Sequence, residues 1–205
     1  MSSAQPSTAL APDLAWQELL EQILPPQGHW TEEEYLVLTD HRNRLVEFTD
    51  GFLELLPMPT DRHQAILGFL YVAFRNYFEA QGGKVRFAPL RMRVRAGKYR
   101  EPDLLLLQSA QDSRRQNRFW IGADLALEVV SEDKPQRDLL DKRGDYAEAE
   151  VPEYWVVNPH AETITVLRLK FKEYQEAGVY ARGQLAVSAM APEFSVPVAS
   201  VFDAD

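Results

Sequence analysis

Asp103, Glu128 and Lys142 are the side chains of this sequence whose types and surroundings could together do chemistry. Asp103 closes the tripeptide Glu101-Pro102-Asp103 and precedes Leu104-Leu105-Leu106-Leu107, while Glu128 follows Leu125-Ala126-Leu127. Both apolar runs read as buried strands, and a carboxylate leaves water at high cost unless it is paired or holds a cation. A divalent metal is the simplest shared partner for two such acids. Magnesium, or manganese in its place, binds through one or two carboxylates and leaves the rest of its shell to water and substrate phosphate. There it would polarise a phosphoryl oxygen and generate a nucleophile from bound water.

Side chains alternate along a strand, so Glu128 and Val130 share a face. Many metal nucleases carry Asp on one strand and Glu-x-Lys on the next, and here Val130 stands where that lysine would be. The helix that follows offers a substitute. Asp138, Lys142 and Tyr146 recur every four residues and line one face, from which a long lysine can reach back to the acids. Its ammonium would stabilise developing negative charge or orient the attacking water. Structural readings stand beside these: Asp103 as an acceptor of backbone hydrogen bonds at a strand edge, and Glu128 as the partner of Arg137 or Lys142. His63 and Glu47 fit either site-lining or purely local roles. Arg91, Arg93 and Arg95 alternate and, with Arg100, make a candidate phosphate-contacting face or a solvated face balanced by neighbouring acids.

The elements that must position these residues follow from local signals. Residues 1–12 read as a disordered tail and 13–205 as one domain. A helix over 14–24 stops at Pro25-Pro26, and Thr31-Glu32-Glu33-Glu34 is a capping box that opens a second helix. Asp50-Gly51 joins residues 44–48 and 52–56 as a hairpin. Residues 61–81 form the longest helical pattern, with Ile66, Leu67, Leu70, Val72, Ala73 and Tyr77 on its apolar face and Gly82-Gly83 at its end. Strands follow at 85–87 and 90–94, joined through Pro89, then at 101–108 and 125–130. A helix over 137–148 with Leu139, Leu140 and Ala147 inward comes next, then a strand over 153–157 and a terminal meander. The sum is an α/β fold with a central mixed sheet flanked by helices and an N-terminal helical and hairpin extension.

The 205 residues include no cysteine, which excludes disulfides, thiolate nucleophiles and cysteine-ligated zinc. The four histidines include no close helical pair, so a structural zinc site is not expected either. Without a membrane-spanning run or a secretory leader, the chain reads as soluble and cytoplasmic. Its net charge of -9 argues against a broad basic surface coating nucleic acid, but local phosphate contacts remain compatible with it. The stretch 84–100 is the exception, with Lys84, Arg86, Arg91, Arg93, Arg95, Lys98 and Arg100 and no acid between them.

Taken in order, Asp103, Glu128, Asp138, Lys142, Tyr146 and Val151-Pro152-Glu153-Tyr154-Trp155-Val156-Val157 resemble the core signature of the Uma family, described as bacterial restriction endonucleases of the PD-(D/E)XK superfamily. Glu33-Glu34-Tyr35, Glu47 with Asp50-Gly51, and Arg62-His63-Gln64 extend the likeness, which runs from about Trp30 to Leu169. The resemblance implies a restriction-endonuclease-like fold, a Mg2+- or Mn2+-dependent endonuclease acting on DNA, and a motif lysine displaced onto the helix, which favours Lys142 over Lys134. Dimerisation is common in such enzymes and is a further expectation, because cutting two strands needs two active centres. Two positions depart from the pattern: Glu150 stands where the family has glycine, and Asn158 where it favours aspartate. A catalytically idle nucleic-acid- or protein-binding module on the same fold is the rival reading.

Overall fold

The computed structural model describes residues 23–40, 44–131 and 140–205. The expected tail, the helix over 14–24 and Asp138 fall wholly or mostly outside them. Thr31 opens α1 (Glu32–Asp40) as the capping box requires: its N–H donates to Glu34 Oε2 at 2.8 Å, and the Glu34 N–H donates back to Thr31 Oγ1 at 3.2 Å. β1 (Val46–Thr49) and β2 (Phe52–Leu55) meet across Asp50 and Gly51, whose φ values of 48° and 89° are those of the tight turn that Asp-Gly favours. Gly51 is doubly constrained, since a Cβ there would lie 2.5 Å from the carbonyl oxygen of Gly28. Thr60 caps α2 (Asp61–Phe78) by accepting from the His63 N–H, and Gly82 ends the following 3-10 turn at φ 89°.

Strands then alternate between two sheets. β3 (Lys84–Phe87), β6 (Leu104–Leu107), β7 (Leu125–Val129), β8 (Glu153–Asn158), β9 (Thr163–Lys170) and β10 (Glu173–Ala181) build a six-stranded sheet in the order β10-β9-β8-β7-β6-β3. Only the β7–β8 pair is parallel, and the crossover between them contains α3 (Lys142–Glu148). β4 (Met92–Arg95) and β5 (Lys98–Arg100) leave that sheet and pair with the hairpin, giving a four-stranded antiparallel sheet in the order β2-β1-β5-β4. The two strands expected to be joined through Pro89 therefore belong to different sheets. A small pair, β11 (Leu185–Val187) with β12 (Ser195–Pro197), and α4 (Val198–Phe202) complete the chain.

One face of the large sheet packs on α2 through Ile66, Leu70, Phe74 and Phe78, residues four apart, and is closed by Phe194, Val196 and Val201. Phe74 sets its ring 5.2 Å from Trp155 and 4.6 Å from Phe194, edge to face. This face is rotated from the expected one, leaving Val72 54% exposed. The other face packs against Met92, Trp120, Tyr146 and Tyr174. Tyr35, Phe48 and Tyr99 make a small separate core between α1 and the second sheet. Among the described residues, no helix is long and apolar enough to cross a membrane.

α3 departs most from amphipathic expectation. Leu140, just before it, is 61% exposed, whereas its buried residues are Lys142, Asp145 and Tyr146. The helix turns a polar face inward. Its exit places Glu150 at φ 54°, a left-handed conformation that glycine adopts freely and other residues do not. Asn158 keeps the turn that aspartate would make, its Oδ1 accepting from the N–H groups of His160 and Ala161. Glu150→Gly should raise the unfolding free energy by about 1 kcal/mol, read as an upward Tm shift of about 2–4 °C in a thermal melt.

Candidate active site

Glu128 lies on β7, a central strand of the large sheet, and is 2% exposed. β6 pairs with β7 through Leu104 opposite Leu127, so the residue before Leu104 comes up beside Glu128. That residue is Asp103, and the Val129 N–H donates to its Oδ2 at 2.8 Å. The first turn of α2 supplies His63, whose Nε2 stands 3.1 Å from the same oxygen. Asp103 thus makes the backbone contact of its structural reading while also lining the cavity described below.

Lys142 opens α3 and brings its Nζ to 2.8 Å from Glu128 Oε1 and 3.8 Å from Glu47 Oε1. One turn on, the Tyr146 hydroxyl donates to the same Glu128 oxygen. The inward polar face of α3 is thereby explained: a carboxylate buried in the sheet needs a cation and a donor, and the helix carries both. Burial, and then the Glu128 charge, hold the Tyr146 hydroxyl well above its ordinary pKa, so it remains a donor.

A second layer comes from the small sheet. Glu47, on β1 and 2% exposed, accepts from the Glu101 N–H at 3.3 Å and lies 3.6 Å from Arg100 Nε. Arg100 Nε donates to Asp145 Oδ2 at 2.6 Å, and its Nη1 donates to Thr49 Oγ1 at 2.9 Å. Lys98 Nζ joins Asp145 at 2.5 Å and Glu148 at 2.9 Å. Glu101 Oε2 accepts from the Val46 N–H at 3.2 Å. Burial, and then the neighbouring Glu47 charge, push the Glu101 carboxyl up to about 8. At neutral pH it is chiefly protonated.

A cavity of about 290 Å³ opens over this network, lined by Glu101, Asp103, Glu128, Lys142 and His63 and by the apolar segment 56–59. Among the described residues, no group of three or more His, Asp or Glu side chains is arranged to hold a metal. A ligand set of that size is not what magnesium needs. Asp103 and Glu128 offer hard oxygen donors on a shared cavity, the one or two carboxylates this ion takes before water and phosphate fill its shell.

The structure therefore brings together Asp103, Glu128, Lys142, Tyr146, His63 and Glu47. The four arginines are not gathered with them as one exposed row. Arg91 is 8% exposed and bonded to Asp40 at 2.6 Å and to Thr39 at 2.5 Å, tying α1 to the segment before β4. Arg93 stands 5.6 Å over the Phe119 ring. Arg95 grips Asp50 with both terminal nitrogens, at 2.8 and 2.7 Å, and reaches Glu148 with its Nε at 2.8 Å. Arg100 is internal to the network. Glu101 and Asp145 are the residues that sequence reasoning missed. Asp145 carried a usable signal, because it lies three residues from Lys142 and so falls on the same side of the helix.

The family model Uma2, described as "Putative restriction endonuclease", matches residues 32–199. Among solved structures, a crystal structure of "a putative nuclease belonging to DUF820" from Anabaena variabilis ATCC 29413 superposes with a TM-score of 0.71 and 20% sequence identity. The alignment covers 85% of this chain and 98% of that one, and at such identity the likeness speaks for the fold alone. No curated protein matches.

Two stability measurements probe the network. Lys142→Met leaves the Glu128 carboxylate buried without its ammonium and should cost about 3–5 kcal/mol in urea unfolding, most of which Glu128→Gln in the same chain should restore. Glu101 holds a proton in the folded chain that the unfolded chain, with an ordinary value near 4.5, releases. The folded state binds more protons between those values, so this group's contribution to stability falls as pH rises from about 4.5 to about 8. Glu101→Gln should therefore narrow the drop in unfolding free energy between pH 6 and pH 8, measured in EDTA.

Proposed function

We propose, of a chain that belongs to the Uma2 family by its match over residues 32–199, that it is a metal-dependent endonuclease hydrolysing phosphodiester bonds in DNA. The observation that carries the reading is the convergence of Asp103, Glu128 and Lys142 on one cavity. Purely structural ion pairs have no need of a shared cavity, whereas a reacting phosphate does.

Asp103 and Glu128 would hold magnesium or manganese, which when bound supplies a Lewis acid for the phosphate and an activated water. The chain's own groups set up the rest. The Val129 N–H and His63 fix the Asp103 carboxylate from one side, so its orientation does not depend on the ligand. Lys142 and Tyr146 fix Glu128 from the other. Lys142 also lines the cavity, where its ammonium can face a non-bridging phosphate oxygen and offset the charge that grows there. Glu47 and Arg100 hold that ammonium in register, since Glu47 contacts both cations. The apolar wall over 56–59 limits water around the reacting phosphate and strengthens these interactions.

Supercoiled plasmid with Mg2+ tests the reading. The wild-type protein should nick it, and Asp103→Asn or Lys142→Gln should slow nicking by about 100-fold or more while circular dichroism shows the variants folded. Calorimetry should lose Mg2+ or Mn2+ binding in the Asp103→Ala, Glu128→Ala double variant, and equal affinity in both proteins overturns the metal assignment. A folded wild-type protein that does not nick favours the idle binding module.

A further inference from the structure

The cavity has a second character that phosphate chemistry does not use. Its lining also includes Leu56, Pro57-Met58-Pro59 and Phe87. Met58 is 73% exposed and Phe87 49% exposed, large apolar groups left in water beside a charged centre. Scattered exposed apolar residues need no explanation, but two that line the same cavity do. The Phe87 ring is held, packing edge to face on Tyr71 at 4.7 Å, whereas Met58 carries an unbranched, adaptable thioether. A fixed ring beside an adaptable apolar side chain suits a flat ligand.

The distribution of cations says which flat ligand suits it. Duplex binding relies on rows of lysine and arginine that displace counterions from phosphates. Here Arg91, Arg95, Arg100, Arg114 and Arg118 are each bonded to an acid of this chain, and the net charge is -9. Arg62 lines the cavity with a half-exposed side chain that donates to the Pro159 carbonyl at 3.3 Å and lies 3.7 Å from Glu162, a looser pairing, and from a more exposed side chain, than those five. Among the described residues that line the cavity, Arg62 is the one guanidinium and stands with an apolar wall, and the cavity's volume of about 290 Å³ lies near the lower end of the roughly 300–1,000 Å³ of small-ligand sites. It suits one nucleotide taken out of a base stack, whose base meets apolar side chains while its phosphate meets the charged floor.

We propose that Met58 and Phe87 form a subsite for one unpaired nucleobase, and that single-stranded DNA is the preferred substrate over duplex. The proposal rests on the nuclease reading above and adds the strand state of its substrate. The Leu56–Pro59 wall and the Phe87 ring take the base, and Arg62 accompanies the adjoining phosphate.

Fluorescence anisotropy with a labelled single-stranded oligonucleotide and its matching duplex, with Ca2+ in place of Mg2+ to slow cleavage, tests this on the full chain. The single strand should bind at least about 10-fold more tightly than the duplex. Phe87→Ala and Met58→Ala should each weaken single-strand binding by about 10-fold, while Phe87→Trp retains it. Met58 is so exposed that its variant provides a check independent of folding at Phe87. Duplex binding as tight as single-strand binding overturns the proposal, as do both alanine variants at wild-type affinity. So does a change in oligomeric state on sedimentation without a change in affinity, which would make the rim a protein contact. Nicking of plasmid alongside a duplex preference removes the subsite and keeps the nuclease. Single-strand binding that depends on Phe87 without any cleavage upholds the subsite and removes the nuclease reading.

Discussion

A carboxylate in the middle of a sheet is the constraint on which this structure depends. Glu128 is almost wholly removed from water on a strand with neighbours on both sides. Such a charge is tolerated only with a cation and further donors in good geometry. Both come from α3, and that requirement fixes how the helix is rotated. Lys142 and Tyr146 must face the sheet, so Leu140 is left in solvent, the reverse of what apolar patterning would choose.

The same demand spreads outward. An ammonium buried against Glu128 brings Glu47 with it, Glu47 brings Arg100, and Arg100 brings Asp145 back on α3. The small sheet is thereby joined to the large one by an ionic layer between the apolar clusters. Arg91 and Arg95 extend that joinery to α1 and to the hairpin turn. A stretch that is strongly basic in sequence is largely paired with acids of this chain and holds the molecule together.

The chemistry within reach is set by where water can enter. Glu128 and Lys142 sit at the bottom and Asp103 is the more accessible acid, while Glu101 is kept protonated at neutral pH by its burial beside Glu47. Neutralising one acid of the cluster limits like-charge repulsion among the rest. Polar and apolar groups meet in one cavity because the hairpin exit, the start of α2 and the end of β3 all contribute to its lining.

What the sequence determined by itself was everything encoded within a few residues. The Thr31 capping box, the Asp50-Gly51 turn and the glycine stop at Gly82 after the 3-10 turn appear where local chemistry places them, because each is satisfied by its own neighbours in the chain, and the buried strands beside Asp103 and Glu128 were legible as continuous apolar runs. The four-residue spacing of Lys142 and Tyr146 was legible for the same reason. Tertiary structure alone decided the division of strands between two sheets, the outward turn of Val72 and Leu140, and the internal roles of Glu101, Arg91 and Arg100. Arg100 meets Asp145 across 45 residues and Thr49 across 51, and Arg91 meets Asp40 across 51. A charge in sequence looks the same whether it will face water or a buried partner, and only the packed chain brings the partner that distinguishes the two.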